Sequence, residues 1–290
     1  MQHSLTDDDL RQYRADGYLV VERLFDVAWI ARADAAINEI CRQADAGGAT
    51  QELLEWELES VSGELLPRRI YNPFHQHATF REIATSAELL GPIKQILGPD
   101  VNLHHSKLNM KPANVGSVVD WHQDLAYFPH TNDDLVTTLV YLDEATEKNG
   151  CLEVLPGCHD RYYEHAGPDG RFSGRITEPL EPDQVGDPQP LPAPAGSAIL
   201  MHARLPHSSQ ANRSDKPRRT LIFEYRAADA LPIFYSERAA QTEALSVHLC
   251  GEKARYARFG GPPPYIPVLD GTKSLYDLQA EARKREDATQ

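Results

Sequence analysis

Cysteine is scarce: the 290 residues contain four, Cys41, Cys151, Cys158 and Cys250, without Cys-x-x-Cys spacing. That excludes a disulfide scaffold or a zinc knuckle and makes reduced, packed thiols the expectation. No run of about 18 apolar residues occurs, so no membrane-spanning helix is expected. The opening MQHSLTDDDLRQ lacks a basic stretch followed by an apolar one, and the chain therefore reads as unexported and cytoplasmic. Positive charge is also short. Lys and Arg number 29 against 43 Asp and Glu, for a net charge of −14, which opposes attraction to nucleic acid or anionic lipid and favours a small-molecule partner. What remains is ordinary: 41% hydrophobic and 25% charged residues are the composition of a globular protein, expected as monomer or homodimer.

Along the chain, Thr6 with Asp9 resembles a capping box that opens a short amphipathic helix ended by Gly17. Tyr18 to Val21 is β-prone. Asp26 then caps a helix in which Ile30, Ala33, Ile37 and Ile40 recur at helical spacing, stopped by Gly47-Gly48. A further helical region covers about Thr79 to Leu97, interrupted near Gly91-Pro92 and closed by Gly98-Pro99. From Val101 the texture changes to short β-prone segments: Val101 to Met110, Val115 to Trp121, Leu135 to Leu142, Cys151 to Leu155, Ala198 to Met201 and Thr220 to Tyr225. Many short strands after a helical third predict an all-β barrel or sandwich with helices on one side. The Pro-, Gly- and acid-rich stretch from Gly167 to Pro194 reads as a long loop, either a surface insertion or a lid. Ser274 to Glu286 reads as a solvated helix without a functional role.

The most informative segment is Trp121-His122-Gln123-Asp124-Leu125-Ala126-Tyr127-Phe128-Pro129. Residues two apart on a strand share a face, so His122 and Asp124 can chelate one metal from a strand end. A later histidine, His202 or His207, would complete two imidazoles and one carboxylate on one face of Fe(II), leaving three coordination positions for reagents. A structural zinc site would fill all four positions with protein donors. Trp121, Tyr127 and Phe128 flank the presumed ligands and are candidates to line a substrate pocket, with core packing as the alternative, favoured for Trp121.

The segment just quoted, the following NGCLEVLPGCH (residues 149–159) and HSSQANRSDKPRR (residues 207–219) together resemble the phytanoyl-CoA dioxygenase family, which includes ectoine hydroxylase. The similarity runs from about Leu5 to Tyr225. It implies a mainly β fold with flanking helices, a double-stranded β-helix or cupin-like jelly-roll. One domain is expected over 1–290, with helical support mainly in 1–98, the core in about 99–226 and a C-terminal extension in 227–290. The resemblance selects His207 over His202, because His207 stands in the family's H-x-S…N…R context with Asn212 and Arg218. It implies Fe(II), 2-oxoglutarate and O2 as reagents, with Arg218 rather than Arg219 meeting the far carboxylate of 2-oxoglutarate through its planar fork. Ser209 and Asn109 match co-substrate positions. His105 stands where ectoine hydroxylase-like members have glutamine, and Arg69 matches a basic position of some relatives.

The activity so implied is oxidation of an unactivated carbon of a small molecule with release of succinate and CO2. Asp124 favours hydroxylation over halogenation, because halogenases resembling this family replace the carboxylate to admit chloride. Arg204, with Arg161 and Arg213, can serve an anionic substrate or can be surface charge. The alternatives are a jelly-roll that binds a metal or small molecule without turnover, and, last, a zinc hydrolase, which lacks an HExxH-type pair.

Overall fold

The first helix, α1 (Asp7–Asp16), starts where the side chains say it should. In this computed structural model, which describes residues 4–45, 54–58, 65–114, 116–269 and 273–287, Asp9 N donates to Thr6 Oγ1 and Thr6 N to Asp9 Oδ2, the reciprocal capping box. Gly17 closes the helix in the left-handed region at φ 79°, and a Cβ there would meet the His159 ring. Strand β1 (Tyr18–Val21) follows, then α2 (Val27–Asp45), whose first turn is capped by Asp26 Oδ1 accepting from Ala28 N and Trp29 N. Ala33, Ile37 and Ile40 are buried as their spacing predicts. The expected stop at Gly47-Gly48 lies outside the described residues.

Strands β2 (Leu54–Leu58) and β3 (Leu65–Tyr71) form a hairpin that the sequence reading missed. Helices α3 (Pro73–Gln76), α4 (Ala78–Thr85) and α5 (Ala87–Leu97) come next. The helical region breaks at Ser86 rather than at Gly91-Pro92: Ser86 Oγ accepts from Leu89 N and starts α5, and Pro92 sits inside that helix. The carbonyl that Pro92 leaves without an intrahelical donor, that of Glu88, lies in the half-buried first turn, close to the helix start where proline is best tolerated.

The β-rich part contains β4 (Val101–Lys111), β5 (Val119–His122), β6 (Leu135–Tyr141), β7 (Leu152–Val154), a short helix α6 (Pro182–Val185), β8 (Gln189–Leu191), β9 (Ala198–His202), β10 (His207–Ser209) and β11 (Arg218–Ala227). Helix α7 (Glu237–Glu243), β12 (Val247–Cys250) and α8 (Leu275–Asp287) complete the chain. Two antiparallel sheets result. One has the order β1-β9-β6-β11-β4-β3-β2, with β12 also on β4, and the other is β5-β10-β7-β8. The expected jelly-roll with flanking helices is the fold observed.

Alternation along β11 decides what faces where. Leu221, Phe223 and Tyr225 join the core shared with the N-terminal helices, while Ile222 joins the core between the sheets with Leu139, Tyr141, Leu152 and Ile199. Both faces of the central strands are thus buried, which is why β6 reads as the unbroken run LVTTLVY. Arg218, Thr220 and Glu224 share the inner parity of Ile222. Arg219, on the other parity, is held by Asp143 and by Asp34, with closest contacts of 2.7 Å to each.

Candidate active site

Neighbouring strands of the smaller sheet bring together two residues, 122 and 207, that lie 85 positions apart. Strand β10 pairs with β5 in a register that sets His207 opposite His122, and their ring centroids are 4.1 Å apart. Asp124 opens a 3-10 turn after β5 that curls its carboxylate back between them. His122 Nε2 lies 3.9 Å from Asp124 Oδ1, His207 Nε2 lies 3.7 Å from Asp124 Oδ2, and one donor atom from each residue lies within 4.8 Å of the others. Donors about 2.1 Å from a shared metal stand roughly 3 Å apart at right angles and roughly 4 Å apart across it, so the cluster has the dimensions of a metal site.

The donor chemistry fits Fe(II) as well. His122 Nδ1 donates to Asp120 O and His207 Nδ1 to Leu205 O, each at 2.9 Å, which leaves both Nε2 lone pairs facing the carboxylate. Burial first, and then the neighbouring imidazole, holds His122 neutral to well below the ordinary histidine range, and burial also lowers His207. Burial alone would push the Asp124 carboxyl up, but Lys107, the two imidazoles and Thr137 together hold it below the usual carboxylate range. Two neutral imidazoles and one carboxylate, with no fourth acidic, imidazole or thiol donor among the described residues, match the facial set of non-haem iron. His202 is not part of it; it sits in a separate cavity beside Asp133, 3.7 Å away.

Three residues around Asp124 escaped sequence reading. Thr137 Oγ1 lies 2.9 Å from Asp124 Oδ2 and 2.6 Å from Glu224 Oε2, and Lys107 Nζ lies 3.5 Å from both carboxylates. Burial, and then the charge of Asp124, pushes Glu224 up to about 7. No local motif marks these residues; only the pairing of β11 with β4 and β6 assembles them.

Two cavities meet at the triad. The smaller, about 50 Å³, is lined by Arg218, Ser209, Asn109, Arg69, Thr137 and Thr220 as well as the three ligand candidates. Arg218 is buried there. One of its terminal nitrogens donates to Thr220 Oγ1 at 2.7 Å, its Nε has no partner, and it makes no ion pair among the described residues. Lys111, paired with it in register, is buried too and donates to Ser209 O and Gln210 O. A buried guanidinium with an orphaned nitrogen, lining the cavity beside Ser209 and Asn109, forms a berth for a carboxylate.

The larger cavity, about 520 Å³, is lined by Arg69, His105, Lys107, Tyr127 and Phe128, among others. Trp121 lines neither cavity and packs beside Leu155 and Cys158. Arg204 is likewise elsewhere, bonded to Asp133 Oδ2 at 2.5 Å in the cavity that holds His202, so the structure does not bring it to the site. Arg161 is paired with Glu178 on the surface.

The expected solvated C-terminal helix is corrected. α8 packs over the site: Gln279 is fully buried, accepts from Asp120 N and donates to Gly174 O, while Tyr276 lies under the guanidinium groups of Arg68 and Arg69. Lys273, Ser274 and Leu275 line the larger cavity. The 167–194 segment is mostly irregular, as expected, but it is packed against the site: Tyr127 OH donates to Gly174 O at 2.5 Å, and Phe172 meets the Tyr127 ring edge-on.

Comparison with known proteins agrees. The family model described as Phytanoyl-CoA dioxygenase (PhyH) matches residues 13–220. A probable alpha-ketoglutarate-dependent hypophosphite dioxygenase of Stutzerimonas stutzeri is 34% identical over 266 residues, 89% of this chain and 90% of that protein. A methylphosphonate hydroxylase of Gimesia maris is 25% identical over 266 residues, 90% of this chain and 96% of its own. Among solved structures, EctD from S. alaskensis with bound Fe superposes with a TM-score of 0.69 at 23% identity, covering 86% of this chain and 88% of that one.

Proposed function

The chain belongs to the phytanoyl-CoA dioxygenase family and is an Fe(II)- and 2-oxoglutarate-dependent dioxygenase, in which we propose that His122, Asp124 and His207 hold the iron. Arg218 and Ser209 would take the distal carboxylate of 2-oxoglutarate, with Asn109 and Arg69 lining the same berth. Iron and 2-oxoglutarate, when bound, supply the oxidising chemistry: O2 and the keto acid yield succinate and CO2, and one oxygen atom goes to the substrate.

The protein's own residues supply orientation and dryness. The two backbone carbonyls fix the imidazole tautomers, Thr137 fixes the Asp124 carboxylate, and Arg218 fixes one end of the co-substrate so that its other end can reach the metal. Tyr127 and Phe128 cover the triad on the side of the larger cavity, where a small-molecule substrate would sit, and His105 stands in the same wall. Six lining residues of that cavity, from Gln241 to Leu275, come from the C-terminal segment, which supports treating 1–290 as one working unit. We read the reaction as hydroxylation, since Asp124 occupies the position a halide would need.

The observation that carries this reading is the donor set, with both Nε2 atoms free and Asp124 ionised between them. Anaerobic addition of Fe(II) and 2-oxoglutarate should give a visible metal-to-ligand charge-transfer band, and succinate formation should require both. Succinate release independent of iron would overturn the reading.

A further inference from the structure

The smaller cavity has one wall of a different origin from the rest. Its lining residues sit on strands of the two sheets, apart from the ligand candidate Asp124 and Leu275. Leu275 is the first residue of α8 and lies outside the matched stretch 13–220. It also lines the larger cavity, as do Arg69, Lys107, His122 and Asp124, whereas Arg218, Ser209 and Thr220 touch only the smaller one. Among the described residues, Leu275 is therefore the apolar side chain at the junction of the two cavities.

Its place is held from both sides. Ser274 caps α8 by accepting from Asp277 N at 3.2 Å, and its hydroxyl lies 3.0 Å from Glu55 Oε1 on β2. The centroid of the Tyr276 ring lies 4.0 Å from the Arg68 guanidinium carbon and 4.8 Å from that of Arg69. Within the next turn, Leu278 and Gln279 are buried. Leu275 itself packs, with Phe128, against the cluster of Ala126, Tyr127, Phe172 and Leu278. Anchors on either side leave its side chain little freedom, so it closes the berth as a fixed wall.

A dicarboxylate held by Arg218 at one end and reaching the triad with the other is fixed at both ends, so a longer homologue fits only by bowing at its middle. Strands paired in hydrogen-bonded ladders resist that bow on their sides. Leu275 meets it on the remaining side. We propose that Leu275 partitions the substrate cavity from the co-substrate berth and sets the chain length of the 2-oxo dicarboxylate that the berth accepts. The proposal rests on the preceding reading of the smaller cavity as the co-substrate berth. It makes Leu275 a specificity-determining residue supplied from outside the family core.

The test uses the full chain loaded anaerobically with Fe(II), and titrates 2-oxoglutarate against 2-oxoadipate, one methylene longer, by the charge-transfer band, so that binding is read without turnover. One methylene in a close-fitting pocket is worth about 10- to 200-fold, and the parent should need at least about tenfold more 2-oxoadipate for half-saturation. Leu275→Ala should bring the two acids within about threefold, and Leu275→Val should narrow the gap part of the way. Leu275→Met, which conserves volume, should keep the parental gap. Leu278→Ala thins the same apolar cluster without bordering either cavity, and should lower Tm while keeping the gap. An equal response to both acids in the parent, a gap unchanged in Leu275→Ala, or a gap lost as fully in Leu278→Ala overturns this proposal and leaves the dioxygenase reading standing. Absence of any band with 2-oxoglutarate in the parent would instead overturn that reading and this proposal with it.

Discussion

Thr137 Oγ1 stands 2.9 Å from Asp124 Oδ2 and can donate its single hydrogen to it. Glu224 Oε2 lies 2.6 Å from the same hydroxyl. One hydrogen cannot serve two carboxylates, so Glu224 completes the chain only when it carries a proton of its own and donates to Thr137, which agrees with its upward shift to about 7. The ligand carboxylate is thus aimed by a hydrogen bond from Thr137 in addition to the charge of Lys107.

Thr137→Val should weaken Fe(II) binding by about 10- to 100-fold, the usual effect of removing a bond to a metal ligand, whereas Thr137→Ser should stay close to the parent. Titration with Fe(II) under anaerobic conditions measures both. Equal affinities for the Val and Ser variants would show that the hydroxyl does not aim Asp124.

His207→Ala should abolish detectable iron binding and succinate formation, and His202→Asn should retain both, because His202 faces Asp133 in another cavity. Metal content after reconstitution, read by elemental analysis, separates the two. The reverse result would exchange the ligands.

The adjacent arginines should split cleanly. Arg218→Ala removes a buried guanidinium from the co-substrate berth and should raise the 2-oxoglutarate KM by about 100-fold, corresponding to roughly 2–3 kcal/mol for a lost charge-assisted contact. Arg219→Ala breaks the links to Asp143 and Asp34 and should lower Tm while leaving that KM within about twofold. A larger KM effect from Arg219 would reverse the inward and outward assignment of β11.

Gln279→Leu should destabilise the protein by about 1–3 kcal/mol, since it strands Asp120 N beside a fully buried side chain and leaves Gly174 O with Tyr127 OH as its remaining donor. Because Asp120 O also orients His122, iron affinity should fall with it. Chemical denaturation beside Fe(II) titration checks the pair, and a surface-like effect within about 0.5 kcal/mol would mean that α8 does not brace the site.

Metal-free protein should lose stability as pH falls below about 6.5. Burial holds His130 and His202 down to about 3 and His165 to about 4, so these imidazoles stay neutral in the folded chain while the unfolded chain takes up protons near 6.5. Where the unfolded state binds more protons, acidification favours it. Calorimetric Tm values should therefore drop between about pH 6.5 and pH 4.5, before most carboxylates titrate; a flat profile there would contradict the neutral burial of these rings.

Much of this arrangement is legible from local residue patterns. The capping box at Thr6, the closeness of His122 and Asp124 in the sequence, and the turn before Arg218 are short-range signals, although Asp124 reaches His122 from a 3-10 turn rather than by strand alternation. The hairpin of β2 and β3 was not legible, because Leu65 to Tyr71 carries a proline and two arginines whose strand conformation depends on pairing with β4. The helical break was misplaced because a proline signals interruption only when its i−4 carbonyl needs a partner, and the Ser86 cap competes successfully for the boundary.

The amino-acid sequence alone determined the kinds of donor, two imidazoles and a carboxylate, because these follow from residue chemistry and motif order, while the short strand β10 that carries His207 showed itself only in its pairing with β5 and β7. Tertiary structure alone decided that Thr137, Glu224 and Lys107 gather behind Asp124, and that a C-terminal segment with a polar, solvated-looking sequence lines the cavity through Lys273, Ser274 and Leu275 and is anchored by the buried Gln279. Those contacts join residues from 13 to 159 positions apart, and their energy comes from burial and hydrogen bonds that exist only once both sheets and α8 have closed on one another.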